Sequence, residues 1–441
     1  MPYENQRATG EALISLEQSD VFSDFLGKVH EVQQSNIPPL SPTQVPDSDE
    51  KIDRVLAIDG SLVTELVQNG YPGAEASLVQ LALVFIDLRK LRDTPPDQIP
   101  SPRIFNEMDS ATTLQAVLPG RNIASKSGHT PRDFFRETIF ETLQGKVVEL
   151  GHETLLETYE DLISGVDGQF RCPYLDSCNA KVEQGRGRYE CGCSQSREVL
   201  STDQLRFHER FNEVGPNGEA HGEVMRFLEL VLLINVLRYF IGNASALRVL
   251  PKIAFVMDGP LAAFGQYAKI APRIRDELLR ISAVCREETG KDLLLISLSK
   301  TGQFVEHFER LDFCEEKGPD KRFAERTALL PDIKYIHRAI IFRSEDAKPW
   351  GKDTYFGRMV LYKSATGQRM VLSTAMTSVE SMDLDNTSLA SYPRLADSLK
   401  VVDELSTYLF EGGFVPIVRA HSHAAIPLKL GGEILSSLFD D

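Results

Sequence analysis

The sequence predicts an α/β fold for this chain of 441 residues. Two apolar runs, KIAFVMD at 252–258 and DLLLISL at 292–298, have the length and composition of buried strands. Between them, APRIRDELLRISAVCREETG at 271–290 is typical of a helix. This alternation of strand, helix and strand indicates a sheet covered by helices. Because the chain is longer than a typical single core, one large elaborated domain or two domains are expected.

The N-terminal half is predicted in the following order. Residues 1–50 form a helix, up to about residue 36, and then a proline-rich linker, while residues 51–441 form the main domain. RVLAIDGSLVTELV begins a strand, and AEASLVQLALVFIDLRKL supplies an apolar segment to pair with it. Residues 93–128 are predicted to be loop-rich, and PRDFFRETIFETLQGKVVEL is predicted as a helix.

The C-terminal half supplies further helices and a hairpin. HGEVMRFLELVLLINVLRYFIG has helical length, and its wide apolar surface predicts burial on most sides. GRMVLYKSATGQRMVLSTAM is typical of a hairpin with SATGQ as its loop. LADSLKVVDELSTYLF is predicted as a helix.

Composition narrows the functional classes. With 42% hydrophobic and 25% charged residues, an ordinary globular protein is expected. No apolar run is long enough to span a bilayer and the N-terminus lacks a signal-peptide pattern, so a cytoplasmic location is predicted. The net charge of −16 argues against non-specific coating of nucleic acid, although a nuclease with an acidic metal site and a local basic groove is compatible with it. No nucleotide-binding loop of the Walker type is present, so any ATP hydrolysis must come from a partner.

Two Asp-Gly pairs raise the question of a shared site. Asp59 and Asp258 each follow an apolar strand, at the sheet edge where α/β proteins bind ligands. Asp-Gly is also a favoured turn pair, which is the simpler explanation for either motif alone. Their recurrence favours a divalent-metal site, because burying carboxylates without a cation is costly.

A third carboxylate and a histidine are needed to complete such a site. Glu229 is the best candidate because it interrupts an apolar helical face, with Glu223 as the fallback and a carboxylate at the helix edge as the structural alternative. Near the C-terminus, RAHSHAAIP offers His421 and His423, which would both be accessible in a loop or a first helical turn. His421 is favoured as a ligand or catalytic group, although a capping or core histidine is the commoner case.

Four cysteines, in CPYLDSCNAKVEQGRGRYECGC, predict a structural zinc site within an insertion at 165–200. The alternatives are a redox pair or the packing of small residues, and the spacing departs from the usual knuckle. The ligands would be Cys172, Cys178, Cys191 and Cys193.

Basic residues suggest two DNA-contacting surfaces, although an ordinary solvated surface has the same composition and is the simpler explanation. One surrounds the cysteines: Arg171, Lys181, Arg186 and Arg188. The other, interleaved with Tyr335, Tyr355 and Phe356, comprises Arg338, Arg343, Lys348, Lys352, Arg358 and Lys363.

Four motifs in order, AIDGS, VMDGPLAAFG, SLSKTGQFVEH and RAHSHAAIP, with a glutamate-bearing helix before the second, resemble the NurA nuclease domain. The resemblance extends from about residue 50 to the C-terminus. It implies a ribonuclease H-like mixed sheet flanked by helices, with Asp59, Glu229, Asp258 and His421 holding Mn²⁺ or Mg²⁺. Lys300 would approach a phosphate, although a lysine after a strand is equally compatible with a surface position.

The same resemblance implies a DNA end-processing nuclease that forms a homodimer and acts with a HerA-like hexameric ATPase in DNA repair or phage defence. Some relatives have a tyrosine shortly before the C-terminal histidine, where this chain has Phe410 and Phe414, with Tyr408 nearest. One alternative is a non-catalytic ribonuclease H-like subunit of the ATPase complex. The other is a phosphatase or nucleotidase using the same carboxylates.

Overall fold

A computed structural model describes residues 14–15, 17, 19–29, 39–67, 73–92, 109–146, 152–164, 168–175, 177–193, 196–313, 322–341, 348–407 and 413–425. Most of the expected N-terminal helix, together with Arg343, Tyr408 and Phe410, lies outside these ranges. None of the helices in the described part of the chain is long and apolar enough to cross a membrane.

The strands in these ranges are β1 (Pro42–Thr43), β2 (Arg54–Val67), β3 (Ala74–Asp87), β4 (Asp109–Pro119), β5 (Gln169–Arg171), β6 (Lys181–Glu183), β7 (Arg188–Glu190), β8 (Glu198–Leu200), β9 (Ile253–Asp258), β10 (Leu294–Ser299), β11 (Thr327–Leu329), β12 (Gly357–Lys363), β13 (Arg369–Ala375), β14 (Ser406–Thr407) and β15 (Gly413–Phe414).

The α-helices are α1 (Asp20–Leu26), α2 (Leu88–Arg92), α3 (Pro131–Leu143), α4 (Leu155–Leu162), α5 (Phe207–Arg210), α6 (Gly218–Gly242), α7 (Ala244–Val249), α8 (Ala271–Thr289), α9 (Gln303–Asp312), α10 (Ile333–Tyr335), α11 (Leu395–Leu405) and α12 (Val415–Ala424). Short 3₁₀ segments cover Ser201–Leu205, Leu250–Lys252, Gly265–Ile270, Glu380–Met382 and Leu389–Ser391, and a π-helical turn covers Ile336–Ile340.

One nine-stranded mixed sheet organises the described chain, in the order β1-β11-β12-β13-β10-β9-β2-β3-β4. Strands β2, β3 and β4 are antiparallel neighbours, whereas β9 and then β10 run parallel to β2. Three consecutive antiparallel strands followed by two strands parallel to the first form the ribonuclease H-like arrangement that the sequence motifs implied. The fold-class prediction is therefore confirmed.

The two faces of the sheet are covered by different helices. On β2, Leu56 and Ile58 belong to the apolar cluster that includes helix α6, while Val55 and Ala57 belong to the cluster that includes α11 and α12. This alternation is the period of a strand that is buried on both faces. Helix α6 is buried on most sides, as its composition predicted.

Two local sequence patterns have a different outcome in the structure. Residues 93–128 are predicted to be loop-rich, but residues 109–119 form β4, which pairs along β3 as the third antiparallel strand. The Asp59–Gly60 pair was compatible with a turn, but β2 continues through it to Val67 and pairs residue by residue with β3. Long-range pairing therefore overrides the local turn preference of Asp-Gly.

The cysteine-bearing segment forms two small hairpins, β5–β6 and β7–β8, between α4 and α6. It is joined to the body by the buried guanidinium of Arg136 on α3. This group donates to both carboxylate oxygens of Asp203, at 2.8 and 2.6 Å, and lies 4.8 Å from the ring centroid of Tyr174. The segment therefore has a fixed attachment to the helical layer.

Candidate active site

The centre of the site lies where β9 ends beside β2. These strands run parallel in register from Arg54 opposite Ile253 to Ile58 opposite Met257, so the next residues, Asp59 and Asp258, are side by side. Gly259 follows with a φ of 79°, which a glycine adopts without strain, and its N–H donates to Leu298 O at 2.8 Å. Strand β9 therefore ends at Asp258, whereas β2 continues beyond Asp59.

Helix α12 supplies the contact on the Asp59 face of the sheet. By the alternation of β2, Asp59 shares its face with Val55 and Ala57, which is the face that α12 covers. His421 Nδ1 lies 3.1 Å from Asp59 Oδ2, and the His421 side chain is 63% exposed. A loop or a first helical turn would leave both His421 and His423 accessible, but His421 lies in the last turn of α12.

Gly60 explains how Glu229 reaches the site from the other face. A Cβ at Gly60 would lie 2.9 Å from both Leu81 Cδ2 and Met225 Cγ, and still closer to Glu229 Oε1. Because glycine has no side chain, α6 can bring the Glu229 carboxylate directly against β2 beside Asp59. Within β2, Asp59 therefore places its carboxylate on one face of the sheet, and Gly60 leaves space for Glu229 on the other face. A turn at this Asp-Gly pair would not give that arrangement.

A cleft of about 550 Å³ gathers the charged groups. Its lining includes Asp59, Arg226, Glu229, Asp258, Lys300 and His421. Lys300 Nζ donates to Asp258 Oδ2 at 2.7 Å, so the lysine faces the carboxylates. The cleft thus contains three carboxylates with cationic groups at its wall.

Two other candidate residues have different contacts. Glu223 accepts a hydrogen bond from Gln266 N at 3.3 Å and lies 3.7 Å from Arg210, so it holds the segment that follows Asp258. The carbonyl of His423 accepts a hydrogen bond from the Gln80 side chain at 2.8 Å. Neither residue is among those that line the cleft.

The electrostatics of the cleft favour a bound cation. Asp59 and Glu229 are each only 6% exposed. Burial, with the nearby Asp258 charge, raises the pKa of Asp59 to about 6, although His421 and Lys300 act in the opposite direction. Burial, with the Asp59 charge, raises the pKa of Glu229 to about 8. Buried neighbouring carboxylates resist joint ionisation unless a cation compensates them.

The donor set fits a hard divalent cation, since Mg²⁺ and Mn²⁺ prefer carboxylate oxygens. Among the described residues, three ligand atoms that all lie within 4.8 Å of one another are found only in a group of cysteines. The carboxylates of Asp59, Glu229 and Asp258 do not meet this criterion.

Arg226 was missed by the sequence reasoning. It lies one helical turn before Glu229, and a Cβ built on Gly259 would be 3.5 Å from Arg226 Nη1. Its charge acts on the pKa of Glu229 and lowers it. The available signal was the i, i+3 spacing, which places both side chains on one side of a helix.

The predicted basic surfaces are mostly engaged in structural contacts. Arg358 and Lys363 are each 3% exposed. The Arg358 guanidinium donates to the carbonyls of Ser381, at 3.2 Å, and Asn386, at 2.6 Å, and Lys363 Nζ donates to Asp312 at 2.7 Å. These two residues are therefore unsuited to a DNA surface, which corrects that interpretation. Near the cysteines, Arg188 donates to Glu198 at 2.7 Å and Arg186 pairs with Glu160 at 3.3 Å.

The cysteines occupy the ends of the two small hairpins. Cys172 follows β5, Cys178 precedes β6, and Cys191 and Cys193 lie between β7 and β8. The sulfur atoms of Cys172, Cys178 and Cys191 all lie within 4.8 Å of one another and could hold a metal ion. Burial, with the adjoining thiols of Cys172 and Cys193, raises the pKa of Cys191 to about 12. A thiophilic cation would displace these protons, as zinc does when it binds thiolates.

Removing one cysteine tests the zinc prediction. We expect Cys172→Ser to purify with less than a tenth of the zinc of the wild type and with a melting temperature lower by about 5 °C or more, because the hairpins lose their cross-link. Elemental analysis and calorimetry measure both quantities. Cys285→Ala, in helix α8, is the control for zinc content, which it should leave unchanged. Absence of zinc from wild-type protein purified without chelator would show that the cluster is a thiol packing site.

Comparison with known proteins shows a likeness in structure and none in sequence. No protein-family model matches the chain, and no curated protein sequence matches it. The fold and site define a ribonuclease H-like protein with an acidic cleft. Its structure is similar to that of the NurA nuclease from Sulfolobus solfataricus over 98% of this chain and 96% of that chain, at 10% identity and a TM-score of 0.37.

Proposed function

We propose that this protein is a divalent-metal-dependent nuclease that hydrolyses DNA phosphodiesters. The observation that carries the proposal is the convergence of Asp59, Glu229 and Asp258, from β2, α6 and β9, on one cleft walled by Arg226 and Lys300. Carboxylates that are costly to bury need cations, and cations beside a basic wall suit a phosphodiester. The ordered motifs that resemble the NurA domain support the same reaction and the choice of DNA.

The chemistry expected at this cleft is attack of water on phosphorus and departure of one ester oxygen with a proton. Mn²⁺ or Mg²⁺, held by Asp59, Glu229 and Asp258 with His421 beside them, would supply an activated water and stabilise the charge on the phosphate. Lys300 and Arg226 would orient the phosphate oxygens through charge-assisted hydrogen bonds. If His421 donates Nδ1–H to the Asp59 carboxylate, its Nε2 can accept a proton.

The direct test is cleavage of end-labelled single-stranded and blunt duplex DNA in Mg²⁺, Mn²⁺ or EDTA. We expect cleavage with either metal and none with EDTA. DNA binding without cleavage under every metal condition would favour the non-catalytic subunit. Hydrolysis of a mononucleotide or of p-nitrophenyl phosphate, with intact DNA left untouched, would favour the phosphatase.

The motif resemblance also supports a proposal about assembly. We infer that the chain forms a homodimer and acts with a HerA-like hexameric ATPase that delivers DNA to the cleft in repair or phage defence. Light scattering of the purified protein would give its oligomeric state. Co-purification with a co-expressed ATPase of that class, and its effect on cleavage of duplex ends, would test the partnership. A monomer that neither binds nor responds to the ATPase would contradict this inference and leave the nuclease proposal intact.

Substitution of Arg226 tests the role of the basic wall. We expect Arg226→Ala to lower kcat/KM for DNA cleavage roughly a hundredfold, because one donor to a developing phosphate charge is removed. Arg226→Lys should recover part of the loss, since it restores the charge without the forked geometry. Arg273→Ala, on the exposed side of α8, serves as the control for lost positive charge. Equal kcat/KM in Arg226→Ala and the control would exclude Arg226 from phosphate binding.

A further inference from the structure

An exposed aromatic ring stands in the same cleft as the carboxylates. Phe264 is 42% exposed, although it lines the cleft together with Asp59, Glu229 and Asp258. It belongs to the segment 259–267 that follows Asp258, and Tyr267 of that segment also lines the cleft. Neither metal binding nor phosphate binding explains why a large apolar side chain lies beside these polar groups.

The backbone that carries Phe264 is anchored on the neighbouring part of the fold. Ala262 forms an isolated antiparallel bridge with Tyr355. Ala263 N donates to Thr354 O at 2.8 Å, and Phe356 N donates to Leu261 O at 3.0 Å. These bonds fix the residues just before Phe264, so the ring is presented from a well-anchored strand-like segment and not from an unsupported loop tip.

A row of aromatic rings supports Phe264 on the side of Tyr355. The ring centroids of Phe264 and Tyr355 are 5.4 Å apart with the planes at 75°, a T-shaped contact. Tyr355 lies 4.1 Å from Trp350, which lies 5.0 Å from Phe304. Because the Tyr355 ring packs against it, Phe264 loses little conformational freedom when a planar ligand contacts its exposed surface.

From these contacts we propose that Phe264 is a stacking platform for an unpaired nucleobase of the substrate. The inference rests on the proposed nuclease function and narrows its substrate to a single-stranded or locally melted DNA end. A base within a duplex is covered on both faces by its neighbours, whereas an unpaired base can place one face on an aromatic ring. Arg226 and Lys300, in the same cleft, supply the charge that the adjoining phosphate requires.

Binding measured in a cleavage-deficient background tests the platform. Asp59→Asn protein in Ca²⁺ would be titrated into a fluorescein-labelled thymidine 15-mer and into a blunt duplex, with fluorescence anisotropy as the signal. Adding Phe264→Ala should weaken binding of the single strand roughly 5- to 150-fold, the range for loss of one stacked base. Phe264→Trp should keep the affinity within about threefold, since it retains a π-face. The control is Val379→Ala, which shortens another exposed apolar side chain.

The substrate supplies the second half of this test. A set of single strands would each carry an abasic site at a different position. At one position, next to the cleavage point, the abasic site should weaken binding to the protein that retains Phe264. The Phe264→Ala protein should bind that strand as tightly as the others. Uniform affinity at all positions, or equal affinity of the Phe264→Ala and Val379→Ala proteins, would overturn the platform while leaving the nuclease proposal in place. Failure of the Phe264-containing protein to bind either DNA would overturn the nuclease proposal itself.

Discussion

Replacing Asp59 with Asn is expected to lower the rate of metal-dependent DNA cleavage at least about a thousandfold, which corresponds to roughly 4 kcal/mol of lost transition-state stabilisation. The charge of Asp59 raises the pKa of Glu229, and the charge of Asp258 raises the pKa of Asp59. A neutral amide removes the charge at that position while keeping the shape. Single-turnover cleavage of end-labelled DNA with saturating enzyme measures the chemical step directly.

The interpretation of that loss depends on two controls. Asp276→Asn removes a carboxylate whose side chain is 62% exposed on α8, and should cleave DNA at the wild-type rate. The Asp59→Asn protein should melt at or above the wild-type temperature in the absence of metal, because it no longer buries that ionisable group. If Asp59→Asn and Asp276→Asn cleave DNA equally well, the activity comes from a different centre or from a contaminant.

The second large effect concerns Glu229 and the stability of the metal-free protein. Burial raises the pKa of Glu229 from 4.5 to about 8 in the folded state. Below the unfolded pKa both states are protonated and no penalty exists. Between about pH 4.5 and 8 the unfolded state ionises while the folded state holds its proton, so stability falls by up to about 1.4 kcal/mol per pH unit for this group. Asp59 acts in the same direction between 3.8 and about 6.

Glu229→Gln should therefore flatten the decline of the free energy of unfolding between pH 6 and 8, and it should abolish most DNA cleavage. Magnesium should restore the stability of the wild type at pH 8, by about 2.7 kcal/mol at a hundred times its dissociation constant, and should restore little in the variant. Urea unfolding at each pH, with and without Mg²⁺, measures these quantities. Glu287→Gln, at an exposed position of α8, should keep the wild-type profile. Parallel pH profiles for Glu229→Gln and wild type would show that Glu229 ionises freely in the folded protein.

The sequence predicted those parts of the fold whose pattern is strong and local. Helices α6 and α8, strands β9 and β10 and the β12–β13 hairpin appear where periodicity placed them. Strand β4 was missed because nearly half of the residues in DSATTLQAVLP are polar and the segment stands among loop-forming residues. Its strand state depends on pairing with β3, whose position cannot be read from residues 109–119 alone.

The roles of single side chains also depend on contacts that the local sequence does not show. Arg358 and Lys363 have the composition of a DNA-binding groove, but carbonyl groups and the Asp312 carboxylate hold them inside the fold. Arg226 and Phe264, which line the cleft, had no sequence signal beyond helical spacing and the neighbourhood of Asp258. Burial and partners decide whether a charge binds a ligand or stabilises the fold, and both depend on distant parts of the chain.

By itself the sequence determined the α/β class, the identity of the acidic and cysteine groups and the order of the motifs, because these depend on composition and short-range periodicity. Only the tertiary structure decided that Asp59 and Asp258 are neighbours, since parallel pairing of β2 with β9 joins segments about two hundred residues apart. It also decided that Gly60 is the opening through which Glu229 reaches β2 from the opposite face. Whether a carboxylate belongs to a site depends on the strands and helices packed against it, and these come from distant parts of the chain.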